Sequence, residues 1–292
     1  MRVAVVGANG QLGTELCRRL AEQAVPWTRA QADLSDEAAV RQLVNSSKVD
    51  LVINTAAYNK VDLAEDEPEV AYRINALGPR GLARACASRG IPLVHLSTDY
   101  VFGLDTQLHV PLQETDPPGP LSSYGTSKLA GEWFVRVHCP RSYVIRTCGL
   151  YGHAGRHGAG KGNFVETMLK LAATRPELRV VNDQHCTPTS VADLAQAILD
   201  LIATGRYGVY HATNSGETTW AELASEIFRL EQLPNLVIPI PSVEYPTKAR
   251  RPAYSVLNCE KLADVIGREL PDWRTALAQY LRERRAETSS AG

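Results

Sequence analysis

The chain opens on an apolar run, Val3-Ala-Val-Val6, that passes directly into Gly7-Ala-Asn-Gly10-Gln-Leu-Gly13. Leu12, Leu16 and Leu20 follow at helical spacing. A buried strand, a glycine turn and a helix in that order constrain this chain more than any other feature. Gly7 allows the tight turn, and Gly10 lets backbone N–H groups approach a pyrophosphate. Gly13 permits close helix–strand packing, with the helix N-terminus facing the anion. The spacing is G-x-x-G-x-x-G rather than G-x-G-x-x-G, so the position after a strand carries the reading, not the triplet alone.

The alternation continues through the first two-thirds of the chain. A helix is expected over Gln11–Ala24, a second strand just before Arg29, and a strong strand at Leu51-Val-Ile-Asn54. A helix over Glu69–Arg89 is closed by Gly90. A strand at Pro92–Ser97, a helix at Tyr124–Val137 and a strand at Tyr143–Arg146 follow. The fold class this implies is α/β, a Rossmann-type doubly wound parallel sheet with a smaller C-terminal α/β substrate-binding lobe. Residues 149–162, rich in glycine and histidine, read as a loop, and a long loop in a compact domain is usually functional. Asn163–Arg175 reads as a helix. Val180-Val181, the helix Val191–Ala203 and Gly208–His211 read as more of the sheet domain. From Thr218 a helix runs to about Leu230, then a strand near Val237-Ile238 and helices at Glu260–Ile266 and Trp273–Arg284. The expected division is residues 1–148 with 177–214 as the dinucleotide-binding domain, 149–176 with 215–286 as the lobe, and 287–292 as a frayed tail.

Bulk properties exclude several classes. The 292 residues carry 31 basic and 32 acidic side chains, a formal net charge of −1, so neither nucleic acid nor an acidic membrane surface is implied. Cysteines 17, 86, 139, 148, 186 and 259 form no C-x-x-C, and a reduced, cytoplasmic protein is expected. The N-terminal apolar run is too short for a signal segment, and no run approaches a membrane span.

Tyr124-Gly-Thr-Ser-Lys128 places a phenol and an ammonium one above the other on a helix face. A neighbouring cation favours the phenolate, so Lys128 is expected to lower Tyr124 from the usual value of about 10 toward neutrality. That makes Tyr124 a usable proton donor or acceptor. Alone, the pair also fits a surface helix with an aromatic flank. Placed after the glycine turn and after Ser97-Thr98-Asp99-Tyr100, it points to carbonyl chemistry beside a nicotinamide. Asp33 lies 20 residues past Gly13, near where an acidic residue meets the adenosine end. Ser35 or Asp36 can cap the helix Glu37–Val44. Arg29 could pair with a 2′-phosphate, so the cofactor is expected to be NADPH, with NADH the alternative.

Together these residues resemble the dTDP-4-dehydrorhamnose reductase family of the extended short-chain dehydrogenase/reductase superfamily. The likeness covers nearly the whole chain. It takes in the glycine turn, Asn54-Thr-Ala-Ala-Tyr58, Val61-Asp62 with Ala64-Glu65, and Asn75-Ala76. It continues through Ser97-Thr-Asp-Tyr-Val-Phe102, Tyr124-Gly-Thr-Ser-Lys-Leu-Ala-Gly-Glu132 and Gly162-Asn-Phe164. Asn182-Asp-Gln184, Thr187-Pro-Thr189 and Arg251-Pro252 complete it. The resemblance implies catalysis by Thr98, Tyr124 and Lys128: Thr98 bonds the ketone, Tyr124 donates the proton, and Lys128 holds the nicotinamide ribose and tunes Tyr124. It implies cofactor contacts from Gly7, Asn9, Gly10, Gln11, Leu12, Gly13, Arg29, Asp33, Leu34 and Ser97, besides Tyr124 and Lys128. Ala56, Ala57 and Tyr58 would line the cofactor after the fourth strand, with Asn75 ordering that region. Val61, Thr98, Asp99 and Tyr100 would meet the substrate, and Asn163 and Arg251 its diphosphate. The implied reaction is reduction of the 4-keto group of a nucleotide-linked 6-deoxyhexose, by a monomer or homodimer.

Tyr100 stands where nucleotide-sugar dehydratases of the superfamily carry Glu, so dehydration is disfavoured. Cys148-Gly149 stands where the family carries a bulky apolar or aromatic residue, so a stacking surface for the sugar is expected to be missing from that segment. Asn59 and Leu63 replace residues more often Thr and Lys. Glu15 matches a Mg²⁺ ligand of some members, but the C-terminus lacks an acidic end, and no metal is expected. The regulatory subunit of methionine adenosyltransferase also resembles this family, so a non-catalytic NADP-binding role is the rival from another class. Gly155-Arg-His-Gly-Ala-Gly160-Lys161-Gly162 lacks the Ser/Thr of a Walker loop, though Lys161 could approach a substrate phosphate. His153 and His157 lack the rigid spacing of a zinc site. His95 reads as a satisfied core residue, Cys148 as a small buried hydrophobe, and Ser97 lacks a nucleophile elbow.

Overall fold

The computed structural model describes residues 1–105, 109–156 and 162–290, the side chains of 288–290 excepted. The strands are β1 (Val3–Val6), β2 (Ala24–Trp27), β3 (Leu51–Asn54), β4 (Leu93–Thr98), β5 (Ser142–Thr147) and β6 (Leu150–Tyr151). They continue as β7 (Glu177–Val181), β8 (His185–Cys186), β9 (Thr189–Ser190), β10 (Gly208–His211), β11 (Thr218–Thr219) and β12 (Leu236–Ile240). The helices are α1 (Gln11–Leu20), α2 (Glu37–Ser46), α3 (Pro68–Tyr72), α4 (Gly78–Ser88) and α5 (Ser123–His138). Then come α6 (Phe164–Ala172), α7 (Val191–Thr204), α8 (Trp220–Leu230), α9 (Glu260–Ile266) and α10 (Trp273–Ser290).

A six-stranded parallel sheet in the order β2-β1-β3-β4-β5-β10 forms the main layer. Residues of β1 alternate between its two faces. Val3 and Val5 pack with Leu12, Leu16 and Leu20 of α1 and with α7, while Ala4 and Val6 pack with α2 and α4. Burial on both faces explains why this strand is apolar throughout rather than alternating. The chain leaves β1 toward β2 on one side and toward β3 on the other. That reversal opens a crevice beyond the carboxyl ends of β1 and β3, where open α/β sheets bind ligands.

Several expectations are corrected. Helix α1 ends at Leu20, and Ala24 already belongs to β2. The strand expected just before Arg29 is β2; beyond it the Asp33 carboxylate accepts from the backbone and hydroxyl of Ser35, and Asp36 caps α2 through Ala39 N. Leu51–Asn54 is therefore the third strand, not the fourth. The helix expected over Glu69–Arg89 is interrupted by a π-helical turn, Arg73–Leu77. Val180-Val181 does not join the main sheet: β7 pairs in parallel with β12. Leu178 and Val180 enter a separate core with residues of α6, α8 and α10, including Val165, Phe228 and Leu277. The last helix extends to Ser290, past the expected boundary at 287, and Arg284 on Glu166 and Arg285 on Glu231 anchor the turn before it.

Candidate active site

A cavity of about 350 Å³ lies beyond the strand ends, with Gly10, Gln11 and Leu12 on one wall and Ser97, Thr98, Tyr124 and Lys128 on the other. The glycine turn therefore shares one crevice with all three residues expected to act on a carbonyl. The turn's shape excludes side chains. A Cβ on Gly13 would come within 2.2 Å of the Gly7 carbonyl oxygen, and Gly7 itself has φ +80°. Gly10 caps α1 with no side chain bonded to the first N–H groups, and no acidic residue occupies the first turn. These amides suit an anion such as a dinucleotide pyrophosphate.

Ser122 caps α5 by accepting from Gly125 N, which places Tyr124 in the first turn at the crevice. Lys128 and Glu132 follow along the same stripe. The expected electrostatics are not found. The Lys128 ammonium donates to the Leu96 carbonyl at 2.6 Å. Burial pushes Tyr124 up to about 12, against a hydrogen bond with Thr98 and with the Asp99 charge adding to the rise. Desolvation sets the direction of the shift, so Tyr124 holds its proton at neutral pH. Burial likewise lowers Lys128 to about 8, with Glu132 opposing the drop.

Thr98 ends β4, donates to Asp99 Oδ1 at 3.1 Å and accepts from Tyr100 N. Asp99 is buried and also accepts from Ser255 Oγ at 2.7 Å. Its burial raises the carboxyl pKa in spite of these donors. Tyr100 meets the Tyr124 ring edge-on at 6.0 Å. Behind the crevice, Ser97 donates to Glu132, and Arg146 grips both Glu132 oxygens, the shortest bond being 2.8 Å. Arg146 also reaches His211 Nε2 at 3.3 Å, while His211 Nδ1 lies 3.0 Å from the Leu112 carbonyl. Burial and the Arg146 charge hold His211 down at about 3, so the ring is neutral.

The other expected residues divide by location. Asn75, on the π-helical turn, accepts from Tyr58 N and donates to the Tyr58 carbonyl and Ser127. It orders the loop after β3, where Ala57 lines the crevice. Ala56 N is held by Asn54, and Tyr58 donates to Glu67. Arg29 and Asp33 pair at 3.3 Å beyond β2, with the Arg29 side chain 81% exposed. Asn9 is exposed and Leu34 buried at the start of α4 beside Gly78. Val61 is half-buried and outside the crevice wall. Asn163 caps α6 through Glu166 N, and its amide donates to Gln11 and Gly152, so its polar atoms are engaged within the protein. His95 is not fully satisfied: Nδ1 meets the Asn54 amide at 3.1 Å, while Nε2 is buried with no partner. Cys148 is buried as expected. His153 pairs with Glu283 and Glu287, and Glu15 with Arg18 and Arg19. His157 and Lys161 lie outside the described residues.

Thr55, Asn59, Leu96, Thr147 and Leu150 also line the crevice, though none was expected to act there. Thr55 and Thr147 stand at or just past the carboxyl ends of β3 and β5, and that position was the available signal. A second cavity, of about 680 Å³, is walled by Phe164, Met168, Gln184, Trp220, Tyr245 and Arg251 among others. Arg251 forks onto Asp62 through bonds of 2.9 and 3.2 Å. Lys248 pairs with Asp66, so the segment carrying Arg251 clasps the loop after β3.

A doubly wound parallel sheet, a glycine turn and a Thr/Tyr/Lys set in one crevice define a dinucleotide-binding oxidoreductase of the short-chain dehydrogenase/reductase class. Residues 1–286 match the family model described as the RmlD substrate binding domain, and the chain belongs to that family. It is 42% identical over 287 residues to the spore coat polysaccharide biosynthesis protein SpsK of Bacillus subtilis, covering 97% of this chain and 98% of that one. The solved dTDP-4-dehydrorhamnose reductase of Clostridium acetobutylicum superposes with a TM-score of 0.92 at 39% identity, covering 98% of this chain and 100% of that one. The Bacillus anthracis dTDP-4-dehydrorhamnose reductase, solved in complex with NADP, gives 0.90 at 37% identity, covering 97% and 99%. Among the described residues, no helix is long and apolar enough to cross a membrane.

Proposed function

We propose that this chain reduces the 4-keto group of a nucleotide-linked 6-deoxyhexose using NADPH, with dTDP-4-dehydro-L-rhamnose as substrate and dTDP-L-rhamnose as product. The observation that carries the reading is the single crevice shared by the glycine turn, Thr98, Tyr124 and Lys128. The turn and the uncapped start of α1 would hold the pyrophosphate, and Arg29 stands beyond β2, where a 2′-phosphate would meet it. When bound there, the reduced nicotinamide supplies hydride to C4.

The protein's own groups supply the rest. Tyr124, protonated at neutral pH, gives its proton to the oxygen that becomes an alkoxide. Thr98 turns its hydroxyl hydrogen from Asp99 to the ketone oxygen, while the Tyr100 N–H donated to its Oγ1 keeps the side chain in place. Lys128, positive below about pH 8, steadies the developing negative charge. Asp99 lacks a second carboxylate beside it, since Tyr100 fills that place, which disfavours expulsion of water. The larger cavity receives the nucleoside, with Arg251 directed at the diphosphate.

The test is oxidation of NADPH with dTDP-4-dehydro-L-rhamnose, followed by absorbance. Tyr124→Phe is expected to lower turnover by about 10²–10⁴-fold. A variant with near-wild-type turnover would falsify the catalytic assignment. Gly149 favours a second reading, reduction or epimerisation of a different nucleotide sugar, and a panel of 4-keto sugars separates the two.

A further inference from the structure

We propose that Trp220 is the aromatic platform of the sugar subsite, taking the place that Gly149 leaves without a side chain. This rests on the nucleotide-sugar reading above. Gly149 lines the catalytic crevice, and Trp220 lines the larger cavity. The two meet: a Cβ built on Gly149 would lie 3.4 Å from Trp220 Cη2 and 3.1 Å from Pro188 Cα. Gly149 also has φ +54°, a left-handed conformation that disfavours any side chain there. The indole tip therefore stands at the junction of the two cavities with only a glycine between it and the crevice. A substrate with its keto carbon at Tyr124 and its nucleoside in the larger cavity must place its hexose at this junction.

The indole is also rigidly placed. Trp220 is the first residue of α8, fixed by a reciprocal capping box between Thr219 and Glu222. Its preceding strand, β11, pairs with β8. Phe164 packs against the ring with centroids 4.9 Å apart. A 6-deoxyhexose presents an apolar face of C–H bonds and a methyl group, which suits a preorganised aromatic surface.

The experiment compares binding of dTDP and dTDP-L-rhamnose to the NADPH-loaded full chain by calorimetry, which needs no turnover. Wild type is expected to bind the sugar nucleotide about tenfold more tightly than dTDP. Trp220→Ala and Trp220→Leu are expected to shrink that ratio to within about twofold, the sugar nucleotide losing several-fold more affinity than dTDP, and Trp220→Phe to keep most of it. Retained dTDP binding shows that the variants are folded. An unchanged ratio in Trp220→Leu, an equal loss for both ligands, or no preference in wild type would each overturn the proposal. Absence of NADPH oxidation with dTDP-4-dehydro-L-rhamnose would instead overturn the proposed reaction, and the binding ratio is read independently of it.

Discussion

Two buried cations lie on neighbouring elements and are treated differently. Arg146 of β5 is 3% exposed and finds both oxygens of Glu132 and the neutral ring of His211. Lys128 of α5 is 2% exposed and donates to a single backbone carbonyl. Glu132 sits one turn beyond Lys128, so both cations lean on the same carboxylate, but only Arg146 is bonded to it. The rear network pairs its cation with a buried carboxylate and joins α5 to the sheet. The crevice end leaves a cation under-solvated, which is what a site that must meet new charge requires. The difference teaches that the polar interior here has a structural half and a chemical half, joined by one helix stripe.

The comparison can be broken from its largest effect downward. Arg146→Met leaves Glu132 buried beside Ser97 without its fork, and stability is expected to fall by about 3–5 kcal/mol in chemical denaturation. A loss below about 1 kcal/mol would show that the rear network is not structural. Lys128→Met is expected to do the opposite for stability: turnover falls by about 10²-fold or more, while the melting temperature rises by several degrees, on the order of 2–4 °C per kcal/mol relieved. The sign follows from linkage. Burial lowers Lys128 from 10.5 to about 8, so the folded state binds the proton less tightly than the unfolded one. The advantage of Lys128→Met is therefore full below pH 8 and fades as pH rises toward 10.5. Wild-type turnover should decline as pH rises through about 8, where the ammonium is lost, and a profile flat to pH 10 removes the cation from the chemistry. The smallest effect belongs to Arg29→Ala, expected to reduce the preference for NADPH over NADH by roughly three- to tenfold, since that side chain is 81% exposed.

Local order in the sequence made much of this legible. The strand–turn–helix at the N-terminus and the strand ends at Thr98 and Thr147 follow from periodicity and glycine placement. The four-residue offset of Tyr124 and Lys128 put both in one crevice. What spacing could not give is burial depth, and so the sign of the Tyr124 shift came out opposite to the expectation: desolvation sets it. The π-helical turn carrying Asn75 was not read from the pattern, because it spans only five residues between two stretches of ordinary helix. Contacts between distant segments were likewise invisible. Asp62 and Arg251 are 189 residues apart and Arg146 and His211 are 65 apart. Strand β7 was misplaced because two adjacent valines suit either sheet, and only the partner β12 decides between them.

The fork of Arg251 is already folded around a carboxylate before any ligand arrives. On the proposed reading, a phosphate oxygen reaching it would swap one anion for another instead of catching a wandering guanidinium, so little side-chain freedom would remain to be lost. Asp62 keeps 45% of its side chain in contact with water, and release returns it to solvent with small penalty. The loop after β3 would thereby learn, by losing its grip, that the neighbouring cavity has filled.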